Sequence, residues 1–197
     1  MDDVGPAHPH GREPADGPDA GEGLGRLFED LEQQAAGMHL AERDAELADR
    51  ARGEYATVAF TSRVHASTGH DVVLGLVDGG TVEGTLTQAG ADWCTVLPPG
   101  RQGVWLVRLA AVATAHGLSS RAVPEVARPA PARLAFGSAL HRLAGDSAEV
   151  LVRLVSGTSM KVRVRRVGAD FVEVEPIGAA TQATALIPFE AVLAARG

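Results

Sequence analysis

A four-residue element occurs twice in this chain, and its duplication constrains the fold more than any other feature of the sequence. Gly90-Ala91-Asp92-Trp93 returns 78 positions later as Gly168-Ala169-Asp170-Phe171. At the same offset, further positions match in hydrophobic type: Val72/Val150, Leu74/Val152, Leu76/Leu154, Leu86/Val164 and Val96/Val174. The offset becomes 76 upstream and 80 downstream, because loops between matched blocks tolerate short insertions. The pattern predicts two copies of one structural unit.

Each copy contains five short segments in which hydrophobic and polar residues alternate, as in half-buried β-strands. The first copy has them at about Asp71–Val77, Thr81–Gln88, Asp92–Leu97, Val104–Val107 and Ala111–Ala115. The second copy has them at about Ala148–Val155, Ser159–Arg166, Phe171–Glu175, Thr184–Ile187 and Ala191–Ala194. A short helix is predicted before each set of strands. The inward positions have the same parity in both copies, which supports the strand assignment.

The rest of the chain differs from the two copies in composition. Residues 1–21 are rich in Pro, Gly, Asp and Ala, so we expect a disordered acidic tail. Residues 22–53 are predicted to form an amphipathic helix, with a bend or break near Gly53 because glycine disfavours helix. The remaining chain divides into a first unit with its leading helix, a Pro-rich linker and a second unit with its leading helix: residues 54–117, 118–132 and 133–197.

The predicted N-terminal helix has an apolar stripe with the spacing of a coiled-coil seam. Leu24, Phe28, Leu31, Ala35 and Met38 are separated by alternating steps of four and three residues. The stripe can pack on the protein's own strands, or it can bind a partner helix or a second copy. A helix of about 30 residues reaches roughly 45 Å, more than the width of a small barrel. We therefore predict an intermolecular interface at Leu24, Phe28, Leu31 and Met38.

The order of elements, a helix and five short strands, resembles that of the Sm-like small β-barrels. The first copy contains a pattern similar to the first Sm motif: Gly69-x-x-Val72-x-Leu74-x-Leu76-x-Asp78-Gly79-x-x-Val82-x-Gly84-x-Leu86. Gly84 falls where that family bends its long second strand, because a missing side chain permits sharp curvature. The resemblance implies an α+β fold, mainly β, in which a long N-terminal helix is followed by two tandem five-stranded Sm-like small β-barrels.

The chain departs from the Sm-like proteins that bind RNA at two places. Those proteins have an Asn in the turn after the second strand, where this chain has Cys94 and Val172. They have an Arg-Gly pair in the second motif, where this chain has Arg108-Leu109 and Pro188-Phe189. The resemblance therefore supports the fold without implying the RNA pocket of that family. The layout also resembles actinobacterial proteins, some labelled transcriptional regulators, but this sequence shows no helix-turn-helix.

The net charge of −7 is distributed unevenly along the chain. Residues 1–50 have a balance of −9 and the remainder a balance of +2, so the acidic part is N-terminal. Only the second copy has a basic stripe on the outward face of its second strand, at Lys161, Arg163 and Arg165 with Arg166 beside them. This stripe can bind phosphates, meet an acidic partner or the acidic helix, or protect an exposed strand edge.

The duplicated element is interpreted as a structural turn. It contributes six residues: Gly90, Asp92, Trp93, Gly168, Asp170 and Phe171. The glycines are predicted to turn the chain, and the acids to bond backbone N–H groups nearby. The aromatic residues lie opposite the inward valines, so we expect them to pack on the preceding helix or on the other copy. The alternative is that they stack on bases or bind a partner.

The sequence contains no arrangement that supports an enzyme. Asp92 and Asp170 belong to separate units, whereas paired-carboxylate catalysis needs two acids near one bond. We find no glycine-rich phosphate loop, no nucleophile elbow and no metal-ligand spacing around the histidines or Cys94. We therefore predict a non-enzymatic protein with no cofactor, no metal and no evident small-molecule substrate.

The single cysteine cannot form an internal disulfide, and the sequence has no bilayer-spanning apolar run and no secretory signal. We therefore expect a cytoplasmic protein without membrane contact. The predicted function is that of an interaction or scaffold protein, which binds protein partners or itself through the acidic helix and the barrel surfaces. The alternative is a regulator that binds RNA or DNA through the basic strand face of the second barrel.

Overall fold

A computed structural model describes residues 20–100, 103–145, 149–178 and 183–197. The tail predicted over residues 1–21 lies outside these residues, except for its last two. Helix α1 spans Ala20–Ala56, a stretch rich in helix-forming Ala, Glu, Leu and Arg. It runs through Gly53 and ends three residues later. No helix in the described part of the chain is long and apolar enough to cross a membrane.

Residues 57–197 form a second compact unit, separate from α1. Its helices are α2, Phe60–Ala66, and α3, Phe136–Ala144. The strands of the first copy are β1 Asp71–Leu76, β2 Thr81–Ala89, β3 Trp93–Leu97, β4 Trp105–Arg108 and β5 Val112–His116. Those of the second copy are β6 Glu149–Leu154, β7 Ser159–Val167, β8 Phe171–Pro176, β9 Ala185–Pro188 and β10 Val192–Arg196. Each strand lies within two residues of its predicted position.

All ten strands belong to one antiparallel sheet, in the order β5-β1-β2-β3-β4-β10-β6-β7-β8-β9. The second half of this order repeats the first, as the duplication requires. A long helix followed by antiparallel strands is therefore confirmed. The pairing does not close either copy into a separate barrel, because β4 of the first copy takes β10 of the second as its outer neighbour.

Matching irregularities show that the two copies share local geometry. The ladder between β2 and β3 shifts register between Leu86 and Gln88, and that between β7 and β8 shifts between Val164 and Arg166. Each shift marks a β-bulge, which bends the strand. Gly84 has φ +148°, and a Cβ there would collide with the backbone of Leu97. Only glycine fits at this point of β2.

The hydrophobic cores of the two copies interpenetrate at the shared strands. The core of the first copy includes Leu193 and Ala194 of β10. The core of the second copy includes Trp93 and Leu106 of the first. Each core therefore contains side chains of the other copy, and neither is complete alone. Burying one large apolar side chain stabilises the fold by about 1.5–3 kcal/mol.

A partly buried ion pair also joins the two copies. The Asp78 carboxylate follows β1 and accepts a hydrogen bond from Arg153 Nε of β6 at 2.6 Å and one from the Gly80 N–H at 3.0 Å. A Cβ at Gly80 would collide with the Arg153 guanidinium, so the glycine makes room for it. Burial alone would raise the pKa of Asp78, but the bonds from Gly80 and Arg153 outweigh it and hold the pKa below its ordinary value.

We predict that acid weakens the fold through Asp78. Because its pKa is lower in the folded chain, its stabilisation is complete above the ordinary carboxyl pKa of about 4 and is lost as pH falls through the lower folded value. Asp78→Asn should therefore lower the free energy of unfolding at pH 7 and flatten its dependence on pH below about 5. Urea unfolding at a series of pH values measures both effects.

The matched control is Glu190→Gln, which neutralises an exposed acid of the same unit. It should leave the pH dependence close to that of the unmodified chain. Equal pH profiles for the two variants would contradict a role for Asp78.

Candidate interaction surfaces

The duplicated Gly-Ala-Asp-aromatic element forms the same turn in both copies. The Gly90 N–H donates to Trp93 O at 2.8 Å, and the Gly168 N–H donates to Phe171 O at 2.8 Å. A Cβ on either glycine would collide with the aromatic ring of its own turn. Glycine is therefore needed because the ring folds back over the turn.

The acid of the first turn acts on the second copy. Asp92 Oδ1 accepts a hydrogen bond at 2.8 Å from the N–H of Phe136, the first residue of α3. Ala135, which precedes it, has no side chain that can cap the helix. A carboxylate at this end satisfies an unpaired N–H and complements the helix dipole. The side chain predicted to bond within its own region thus caps a helix of the other copy.

Trp93 is a large side chain that crosses the junction. Its ring is buried within the core of the second copy, in the cluster that contains Phe136 and Leu140. Its indole N–H donates to Leu134 O at 2.8 Å, so the polar atom of the ring is also satisfied. Of the two packing partners expected from the sequence, Trp93 takes the other copy.

The second turn has no such partners among the described residues. Phe171 is partly exposed, and the Asp170 side chain is exposed without a described hydrogen bond. The backbone geometry is nevertheless the same, since Asp170 O accepts from the Phe189 N–H and Asp92 O from the Leu109 N–H, both at 2.8 Å. The copies therefore differ in what surrounds the turn and agree in the turn itself.

Arg108 is a junction residue whose role the sequence did not predict. Its guanidinium donates to the backbone carbonyls of Phe189 and of Val192, the latter at 3.1 Å. Because the acceptors are backbone atoms, no pattern of side chains marks them. The one available sequence signal is the contrast with Pro188, which occupies the equivalent position in the second copy.

The basic stripe predicted on the second strand of the second copy lies on β7. Lys161, Arg163, Arg165 and Arg166 are all exposed there. The bulge between Val164 and Arg166 accounts for two consecutive exposed arginines. Arg165 and Arg166 also line a groove of about 820 Å³ between β7 and α3.

Acids on the neighbouring strands offset much of this positive charge. Arg165 Nε lies 2.9 Å from Glu175 Oε1 of β8, and Arg163 lies 3.9 Å from Glu149 of β6. Arg166 faces a further acid of β8 across the ladder. The stripe is thus one row of a surface of mixed charge.

The helix interface predicted from the sequence lies along α1. Leu31 and Met38, one heptad apart, are 52% and 61% exposed. Leu24 and Phe28 lie in the part of α1 where the structure describes only the backbone. The described half of the stripe is therefore open on its apolar face.

Cys94 and His65 are two titratable groups in the described part of the chain whose surroundings shift the pKa. Cys94 lies in the core, and burial raises the pKa of its thiol to about 12, so the thiol stays protonated. His65 Nε2 lies 3.1 Å from Gly90 O; burial and the nearby Arg128 lower the pKa of this imidazole. No group of three His, Cys, Asp or Glu among the described residues is placed to hold a metal ion.

The sequence matches no protein-family model, and comparison with curated proteins and with solved structures finds no match. What this protein binds must therefore be inferred from its own residues and contacts.

The two turn acids give a matched test of the junction. Asp92→Ala should lower the free energy of unfolding by about 1 kcal/mol, because the N-terminus of α3 loses its cap. Asp170→Ala should change it by less than about 0.5 kcal/mol, since that side chain has no hydrogen bond among the described residues. Urea unfolding of both variants at low protein concentration measures the difference, and equal losses would show that Asp92 is no cap.

Proposed function

We propose that this protein is a non-enzymatic interaction or scaffold protein, which binds protein partners or further copies of itself through α1 and the surfaces of the sheet unit. One observation supports this above all. Leu31 and Met38 are exposed on one face of a 37-residue helix. Because helices in proteins gain most of their stability by packing an apolar face, this face is suited to an intermolecular partner.

The charge of α1 bears on which partner it takes. Acidic residues outnumber basic ones along this helix, so two copies repel each other at low salt. Self-association through α1 should therefore strengthen as salt rises, whereas binding to a basic partner helix should weaken. The cytoplasm is the proposed compartment, because Cys94 has no second cysteine with which to pair.

We further propose that each copy is an Sm-like unit, in which the barrel is left open by the strand shared between copies. Each copy has the short helix and five strands in the expected order. Gly79 and Gly157 occupy the equivalent turns after the first strand and have φ +83° and +79°. Gly84 stands at the close approach in the long second strand. These features support the unit without indicating what it binds.

A nucleic-acid-binding regulator is the second candidate. It is favoured by Lys161 and Arg166, which have no ion pair among the described residues, and by the arginines that line the groove beside α3. The acids paired with Arg163 and Arg165 oppose it, because they compete with phosphate for the same guanidinium groups. Interaction with protein is therefore the better-supported function.

The role of α1 can be tested with the double variant Leu31→Glu and Met38→Glu. Because both side chains are exposed, the fold should be unchanged, and binding through this face should weaken at least tenfold. Leu47→Glu is the matched control, since Leu47 is also exposed on α1 but lies outside the predicted seam. Sedimentation measures self-association, and cross-linking in cell extract with and without nuclease measures partner capture.

A wild-type chain that stays monomeric at high micromolar concentration and cross-links to no protein would contradict the proposed function. If the double variant and the Leu47→Glu control self-associate and capture partners equally, the Leu31–Met38 face of α1 is not the binding surface.

The nucleic-acid candidate makes a separate prediction. If the β7 face binds phosphates, changing Lys161, Arg163 and Arg165 to Glu should abolish RNA or DNA binding and reduce the salt slope by about one unit per lost contact. Replacing the exposed Arg121 and Arg133 by Glu is the control, since neither belongs to β7. Since interaction with protein is the better-supported function, we expect the wild-type chain to bind neither RNA nor DNA in 50 mM salt. Fluorescence anisotropy measures this binding.

A further inference from the structure

The duplication gives the sheet unit two equivalent grooves, each between the short helix and the long second strand of one copy. In the second copy the groove lies between α3 and β7 and has a volume of about 820 Å³; we call it the α3–β7 groove. In the first copy the corresponding space lies between α2 and β2 and has a volume of about 370 Å³. The same space is therefore filled to a different extent in the two copies.

The linker between the copies fills the groove of the first copy. Four linker residues line what remains of that groove: Val123, Arg128, Pro129 and Ala132. The Val123 N–H donates to Ser62 O at 3.0 Å, and the Arg128 guanidinium donates to Ser62 Oγ at 2.9 Å. Residues 118–132 contain three prolines and no α-helix. The first groove thus holds a proline-rich segment whose backbone is not α-helical.

No equivalent segment covers the α3–β7 groove among the described residues. Its lining comes from α3, β7 and the residues that flank these two elements. Matched side chains differ accordingly. Ser62 is 8% exposed, whereas its equivalent Ser138 is exposed. His65 is half-buried, whereas its equivalent His141 is exposed. The second groove is therefore the open counterpart of a site that the molecule fills in its first copy.

The open groove has its positive charge on its wall. Arg165 and Arg166 of β7 line it and stand where β2 has a threonine and a glutamine. Arg166 has no ion pair among the described residues, whereas an acid of β8 lies 2.9 Å from Arg165. In the first groove the arginine belongs to the linker, at Arg128. The α3–β7 groove is therefore suited to a segment that shares the prolines of the linker but carries acids in place of its arginine.

Residues 1–19 have this composition. They contain four prolines, five acidic residues and one arginine, and they lie outside the described residues. Because proline fixes φ, such a segment loses less conformational entropy when it binds than a chain without proline does. Opposite charges steer it toward the arginines of the groove.

We propose that the α3–β7 groove binds residues 1–19 of a second copy of this chain, as an acidic, proline-containing segment. The proposal rests on the proposed function, in which copies of this chain bind one another, and it assigns a binding surface and a ligand to the sheet unit. It also determines the response to salt. Association of α1 with α1 strengthens as salt rises, whereas binding of the acidic segment to the arginines weakens.

A labelled peptide with the sequence of residues 1–19 tests the groove. It should bind the full-length chain at low salt, as measured by fluorescence anisotropy, and changing Arg165 and Arg166 to Gln should weaken binding by about tenfold or more. The matched control changes Lys161 and Arg163 to Gln, which removes the same charge from β7 outside the groove lining and should leave most of the affinity. Ser138→Trp fills the groove at an exposed position without changing charge, and it should also weaken binding.

Sedimentation of the full-length chain tests the ligand. Self-association at low salt should persist with Leu31→Glu and Met38→Glu, and it should be lost when all five acids of residues 1–19 become amides. A wild type that is monomeric at low salt, or an amide variant that associates as the wild type does, would overturn the proposal. Self-association through α1, measured at high salt, would still stand.

Two results of the peptide assay would also overturn the proposal. One is equal binding of the peptide to the Arg165 and Arg166 variant and to its control. The other is an RNA or DNA oligonucleotide that binds through Arg165 and Arg166 while the peptide does not bind, which would favour the nucleic-acid candidate instead.

Discussion

The pairing of β4 with β10 is the contact on which the rest of the sheet unit depends. It converts two sets of five strands into one sheet, and it brings Trp93 of one copy into the core of the other. The Asp92 cap, the Arg108 bonds and the Asp78–Arg153 pair all cross between the copies. Hydrogen bonds of the ladder fix the distance between the copies, and apolar burial supplies most of the stabilisation.

The two copies share a backbone geometry but differ in the side chains at their edges. The first copy has the side chains that bind its neighbour: Asp78, Asp92, Trp93 and Arg108. The second copy has Ser156, Asp170, Phe171 and Pro188 at those positions. Three of these four positions therefore differ between the copies, whereas the backbone bonds of the turns at Asp92 and Asp170 are the same.

The strands could be predicted from the sequence because alternation along a strand is a local property and the duplication set its register twice. The pairing of the strands could not be predicted, since ladder bonds join backbone atoms that are the same in every residue. The role of Arg108 could not be predicted either, because its acceptors are backbone carbonyls. The basic stripe was found on β7, but its compensating acids lie on β6 and β8, and only the pairing register brings Glu175 beside Arg165. The Asp92 cap likewise joins residues 44 positions apart.

Strand β10 determines when the two hydrophobic cores can be completed as the chain folds. Leu193 and Ala194 of this strand belong to the core of the first copy, and Val192 and Ala195 belong to that of the second. Neither core can be completed during synthesis until β10 has left the ribosome, although the other nine described strands precede it. Contacts between residues so far apart in sequence form slowly and leave apolar surface exposed meanwhile. The nascent chain therefore presents two unfinished cores and an unpaired β4 edge, and this interval is when it is most exposed to misassembly and chaperone binding.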